Sequence, residues 1–450
     1  MHDASYTRRL KEALVGDPDA RFVWLCNFEV ENEWARNYVG LPAAPLSVTT
    51  ATVQRMEELG AMLAEPGDHL VLSQGLDAGY RDYAGSIGFP LPTELVAEAE
   101  GSTSEAVLDS PEVIARLTEL AGTGAYLMPM GNSMVEQRIS ERTGLPLAVP
   151  DTEVYERVNS KIYSRRLVEE LGLRAIPGFC CESTVELHTA LESVSEADPV
   201  IVKDAYGVSG KGLVVVDSRR KADRLLRMVD QRARRKDDQT LHVVAERFLA
   251  KRFDLNYQIT ISREGAVTLD FVKEAMVSGG VHMGHIMPPD LSAEQLDEIA
   301  EAAERIGARL HADGFHGVVG VDALVSADDV VYPVLELNAR LNMSTYQGQV
   351  TERFQAPDGV ALAKHYPLRL AEPVPFEEIR DGLGALAQAP ADGRGLVLTC
   401  FGTVNAQAGS GPFEGRLYTV LFGHDRDELH ELDRAVTDAL AKIEAERGAA

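Results

Sequence analysis

Ile201-Val202-Lys203-Asp204-Ala205-Tyr206-Gly207-Val208-Ser209-Gly210-Lys211-Gly212 reads as an apolar strand that delivers a lysine and then opens into a glycine-rich turn. Leu213 to Val216 resumes as an apolar stretch, so the unit is strand, loop, strand. Exposed backbone N–H groups and small side chains in such a turn suit a polyphosphate. Lys203 would neutralise the α and β phosphates, with Ser209, Gly210 and Lys211 as loop contacts. A Walker A loop is excluded, because Gly212 follows Lys211 where that motif needs Ser or Thr. A dinucleotide fingerprint also fails, since a helix should follow its glycines. A mobile hairpin turn beside a solvated lysine is the plainer alternative.

Further along, Val321-Asp322-Ala323-Leu324 places one carboxylate in an apolar run, and Tyr332-Pro333-Val334-Leu335-Glu336-Leu337-Asn338-Ala339-Arg340 follows across Asp328-Asp329. Side chains two apart in a strand share a face, so Glu336 and Asn338 point together. If the two strands pair, Asp322 joins them. Hard oxygen donors of that kind suit magnesium, which keeps part of its shell for water and phosphate. Arg340 is placed to hold a transferring phosphoryl or acyl phosphate oxygen. The competing reading is a solvated edge strand. It conflicts with the apolar flanks, because converging buried carboxylates are unstable without a cation.

The chain has 450 residues, enough for two or three domains. Its formal net charge of −26 disfavours a nucleic-acid binder, whose affinity rests on Lys and Arg. The one basic run, Arg232 to Lys236, reads as a helix end or loop. Four scattered cysteines have neither a disulfide nor a metal-ligand pattern, which fits a reduced, cytoplasmic protein. No signal peptide and no transmembrane run of about 20 apolar residues is visible.

Three segments follow from the pattern. Residues 1–155 alternate strands (Arg21 to Asn27, His69 to Ser73, Ala125 to Pro129) with helices (Val53 to Leu63, Ser110 to Leu120), the signature of a small α/β domain. Asn27, Glu29, Asn132 and Glu136 sit near strand ends there and read as turn residues. Residues 156–370 hold the lysine loop, the carboxylate hairpin, a helix from Asn159 to Leu171, and an amphipathic helix from Ser292 to Leu310. Residues 371–450 form a small α+β unit ending in a helix from Asp427 to Glu444.

The order Lys203 with its glycine loop, Glu246 at a strand end, Asp322, then Glu336-Leu337-Asn338 resembles the ATP-grasp superfamily. The arrangement of all three segments is similar to the pheganomycin-type peptide ligases. That resemblance implies an α/β chain with an α+β ATP-grasp core, preceded by a Rossmann-like pre-grasp domain and followed by the small C-terminal domain. It implies ATP and Mg2+ as cofactors, with Lys161 and Lys203 on the phosphates. The stretch Glu246-Arg247-Phe248-Leu249 would hold adenine and ribose, with Asp254 reaching the nucleotide region. Asp322, Glu336 and Asn338 would hold magnesium, and Arg340 matches the arginine that often follows the Glu-x-Asn element. One departure is Gly320, where D-alanine ligases have an arginine; this puts the acyl phosphate contact on Arg340 in question.

The expected reaction is a carboxylate-amine ligation through an acyl phosphate, releasing ADP and phosphate. An amino acid or other small carboxylic acid would be joined to a peptide or other amine, as in antibiotic biosynthesis. Small-molecule ligation, a kinase-like phosphotransfer or adenylation are the alternatives. A homodimer is the default assembly. Lys273 and Glu274 are further candidates, the latter to orient or deprotonate the amine. The stretch Ser278 to His285 reads as a loop whose His282 or His285 touches substrate, with zinc ligation and a plain loop role as competing readings.

Overall fold

The computed structural model describes residues 4–34, 41, 50–98, 101–207, 212–278, 281–409 and 411–447. The chain begins with the helix Tyr6–Val15, and three sheets follow. The first is parallel: β1 (Phe22–Leu25), β2 (His69–Leu72), β3 (Thr93–Val96) and β4 (Tyr126–Pro129), in the order β3-β2-β1-β4. The helices Thr103–Asp109, Pro111–Ala121 and Met134–Thr143 lie along this part of the chain. Strands buried on both faces explain why Phe22–Leu25 and His69–Leu72 are apolar at nearly every position. The expected helix from Val53 to Leu63 is instead a short helix, Thr50–Arg55, followed by a tight turn, Met56–Met62. That turn buries two acids. Glu57 accepts from Ser73 N, and Glu58 accepts from Phe401 N and Gly402 N.

The second sheet is antiparallel: β5 (Gly178–Ser183), β6 (Val200–Asp204), β7 (Leu213–Val216) and β8 (Thr240–Arg247), in the order β5-β8-β6-β7. Val202, Val243 and Ala245 face the helices Thr184–Ala190 and Arg219–Lys236 and form a core of their own. Lys203 and Glu246, one position out of phase, face the other way.

The third sheet has eight strands. They are β9 (Lys251–Ile261), β10 (Val267–Ser278), β11 (Val281–Met287), β12 (Gly317–Ser326), β13 (Val331–Asn338), β14 (Val360–Leu370), β15 (Gly395–Cys400) and β16 (Phe413–Gly423). Their order is β13-β12-β9-β10-β11-β14-β16-β15. The helix Ala293–Ala312 packs on it through Ile299, Ala303, Ile306 and Leu310, its start capped by Ser292. The strands β15 and β16 of the last segment join this sheet directly, β16 pairing with β14 along its whole length.

Two expectations change here. Of the stretch read as a loop, Ser278 to His285, residues 279–280 lie outside the described residues and the rest is strand: β10 runs to Ser278, and β11 pairs with β10 and β14. Gly284 permits this, since a Cβ there would meet the Ala363 carbonyl oxygen at 2.2 Å. The helix expected from Asn159 to Leu171 is present as Lys161–Glu170, starting two residues later and preceded by a separate helix, Thr152–Val158. Asn159 lies between the two. Its amide donates to Tyr155 O at 2.9 Å and accepts from Ala339 N at 2.8 Å, which makes Lys161 the first residue of the second helix.

Candidate active site

The site is built from one row of the large sheet and one face of the small one. On the large sheet Glu336 pairs with Asp322, Asp322 with Asn256, and Asn256 with Lys273. These four residues of adjacent strands share a face, spanning about 14 Å at the usual strand spacing. Asp322 Oδ1 accepts from the Asn256 amide at 2.9 Å and Oδ2 from the Asn338 amide at 3.1 Å. Burial pushes the Asp322 carboxyl up to about 6, and the neighbouring Glu336 charge adds to the shift.

Lys161 spans the two halves. Its Nζ lies 2.8 Å from Glu336 Oε1 and donates to Gly207 O at 2.6 Å, tying the carboxylate strand to the start of the glycine loop. Lys203 Nζ is 2.7 Å from Glu246 Oε2, and Arg165 reaches Glu246 Oε1 at 3.2 Å. A narrow cleft is lined by Glu31, Trp34, Asn159, Lys161, Tyr206, Glu336 and Asn338. Arg340 sits at its rim, donating from Nε to Glu31 Oε1 at 2.7 Å and from a terminal nitrogen to Asn338 Oδ1 at 3.1 Å.

Lys161, Glu336, Asn338 and Arg340 thus gather around one cleft with Asp322 beside them, while Lys203 and Glu246 form a second set held by Arg165 of the same helix as Lys161. Lys273 lies at the far end of the row, 2% exposed. It donates to Gln347 Oε1 at 2.9 Å and rests 4.3 Å from the Phe271 ring centre. Burial lowers its amine to about 7.

Other candidates are not brought to this cluster. Glu274 faces away from Lys273, as alternation demands, and pairs with Arg426 of the C-terminal helix at 2.7 Å. Asp254 pairs with Lys251 near the start of β9. Phe248 is half-exposed after β8, with its backbone N–H on Pro199 O at 2.8 Å. His282 is placed as a backbone position on β11, opposite Val277. His285 is buried on the same strand. Ser209, Gly210 and Lys211 lie outside the described residues. Among the described residues no group of three His, Cys, Asp or Glu could hold a metal ion. The set at hand is two carboxylates and one amide oxygen. It fits a magnesium ion chemically: the donors are hard oxygens, and burial together with the neighbouring Glu336 charge makes an ionised Asp322 costly without a cation.

Asn256, Arg165 and Glu31 were not singled out from the sequence. Asn256, with its partners on Asp322 and Ser344, sits in a strand whose polar alternation (Asn256, Gln258, Thr260) is readable. Glu31 lies 309 residues from Arg340, and no local signal connects them.

The Pre ATP-grasp domain family matches residues 56–145, and the carbamoyl-phosphate synthase L chain ATP-binding domain matches residues 160–371. A butirosin acyl-carrier protein–L-glutamate ligase of Niallia circulans is 29% identical over 204 residues, 45% of this chain and 48% of that one. The carbamoyl phosphate synthase large chain of Xylella fastidiosa is 28% identical over 44% of this chain and 18% of its own. The chain therefore spans about half of the first relative and under a fifth of the second. Among solved structures, biotin carboxylase of Campylobacter jejuni aligns over 94% of this chain and 92% of its own with TM-score 0.56 at 15% identity. An L-amino acid ligase of Bacillus licheniformis aligns over 94% and 98% with TM-score 0.51 at 16% identity. At that identity the structural matches speak for the fold alone.

Proposed function

Since the chain belongs to the ATP-grasp superfamily, we propose that it is an ATP-dependent carboxylate-amine ligase that activates an acid as its acyl phosphate. The observation that carries this reading is the Lys161–Glu336 contact at 2.8 Å, which joins the lysine helix to the carboxylate strand across one cleft. Lys161 and Lys203 hold the phosphates, exchanging their present partners Glu336 and Glu246 for phosphate oxygens. Glu246, freed but still braced by Arg165, and the backbone through Leu249 hold the nucleoside end. Asp322, Glu336 and Asn338 hold magnesium, which supplies charge neutralisation at the transferring phosphoryl group. Arg340 orients the carboxylate of the acid and the acyl phosphate that forms from it. The acid oxygen attacks the γ phosphorus and ADP leaves; an amine nitrogen then attacks the acyl carbon and phosphate leaves. The catalysis asked of the protein is positioning and electrostatics, with no covalent enzyme intermediate.

The finer reading is that the acid is a non-proteinogenic amino acid and the amine is the N-terminus of a peptide, with the protein at work in the cytoplasm. A second reading is favoured by the Niallia circulans relative, whose name describes ligation of glutamate to an acyl-carrier protein. In that reading the acceptor is carried on a protein. Incubation with ATP, magnesium and paired pools of acids and amines tests both. ADP and phosphate formed only with acid and amine together, with a condensed product in the mass spectrum, supports ligation. AMP and pyrophosphate, or a phosphorylated product stable to amine, refutes it.

A further inference from the structure

The helix Arg219–Lys236 holds nine Lys or Arg and two Asp, in a chain whose net charge is −26. Its inner face, Ala222, Leu225, Leu226, Val229 and Ala233, is buried against Val202, Val243 and Ala245. Part of its charge is balanced locally: Arg219 pairs with Asp223 at 2.9 Å and Lys221 with Asp217 at 2.6 Å. Arg220, Arg224, Arg227, Arg234 and Arg235 are different. Each is exposed, and among the described residues none has an ion-pair or hydrogen-bond partner. Their spacing is helical, so they form one stripe about 22 Å long on the solvent side. Arg220 and Arg224, and Arg224 and Arg227, stand four and three residues apart, where like charges on a helix repel. Neither the packing of the sheet nor the cleft uses them, since Lys203 and Glu246 lie on the opposite face of that sheet.

We propose that this stripe docks a small acidic protein that presents a row of Asp and Glu along a helix. Complementary charge would relieve the repulsion along the stripe, steer encounter and select the partner. The remainder of the molecule carries a large excess of acid, which confines such a partner to this helix. The same excess opposes a nucleic acid, whose phosphates continue past the end of the stripe. The proposal is independent of the reaction assigned to the cleft.

The test is a titration of a labelled acyl-carrier protein with the full chain, read by fluorescence anisotropy, alongside ATP binding and thermal melting of the same samples. Binding is expected to weaken as salt rises. The R224E/R227E/R234E chain is expected to bind at least about tenfold more weakly, with ATP binding and melting unchanged. The milder R224Q/R227Q/R234Q chain should fall between, which guards against a folding defect in the first. Failure of the carrier protein to bind, or binding indifferent to both triple variants, overturns the proposal. So does tighter binding of a duplex DNA or of phosphatidylglycerol-containing vesicles through the same residues. A sedimentation mass of two chains that the reversal abolishes would assign the stripe to a second copy and overturn it as well. Loss of ATP binding with carrier binding intact would count against the cleft assignment alone.

Discussion

Lys203 and Asp322 were legible because each is a charge inside an otherwise apolar strand, a placement that costs free energy unless a partner or ligand repays it. Arg165, Asn256 and Glu31 were not, because their importance lies in what they touch. Lys203→Ala would leave Glu246, 6% exposed, with Arg165 as its remaining cation. Calorimetry is expected to show ATP affinity reduced by at least about tenfold; an unchanged affinity would remove Lys203 from the nucleotide site. Lys273 makes a different prediction. In the unfolded chain its amine keeps the proton to its ordinary value near 10.5, in the fold only to about 7. Between those values the unfolded state binds more protons, so this group's penalty shrinks as pH rises through that window and is fully felt below it. Lys273→Met removes the penalty. Its gain in Tm relative to the unsubstituted chain is expected to be larger at about pH 6 than at about pH 9, and an equal difference at both would contradict the burial argument.

At the scale of elements, the hairpin β12–β13 followed from apolar alternation and a short turn, and its register sets Asp322 opposite Glu336 as the spacing required. Misreadings arose where a side chain from elsewhere overrode local pattern. Asn159 was read as the first residue of a helix, yet its amide serves the backbone of Ala339 and the helix starts at Lys161. The glycines of 278–285 suggested a loop, whereas Gly284 is small so that β14 can approach. Gly320 follows the same logic. A Cβ there would meet the Asn342 amide nitrogen at 2.7 Å, so the space a larger side chain at 320 would need is filled by the chain after β13. Gly320→Arg should therefore destabilise by about 1–3 kcal/mol through overpacking, lowering Tm without raising ligation rate. A faster enzyme would show that Arg340 leaves an acyl phosphate contact unmet.

For the whole molecule, the α/β beginning and the mixed middle were visible in strand and helix alternation, but sheet membership was not. Which strands share a sheet is decided by long-range pairing that leaves no local trace. The structure has β14 paired with β16 from Val360 to Leu370, and the terminal helix covers this pair with Leu429, Leu432, Val436 and Leu440. A chain stopped after residue 371 would expose β14 as a new apolar edge. It is expected to be insoluble or to lose its cooperative melt, measured by circular dichroism. A soluble truncated chain with an unchanged Tm would show that the last segment folds apart from the core.

The ion pair between Arg340 and Glu31 carries one more consequence. The guanidinium facing the cleft is already occupied by a carboxylate from the N-terminal segment. In the role proposed for Arg340, any incoming acid would therefore be a rival of a side chain whose effective concentration is fixed by the fold. Small anions that offer nothing beyond one carboxylate lose that contest. An acid wins only if the rest of its body finds contacts of its own, so the first act of selectivity is an eviction.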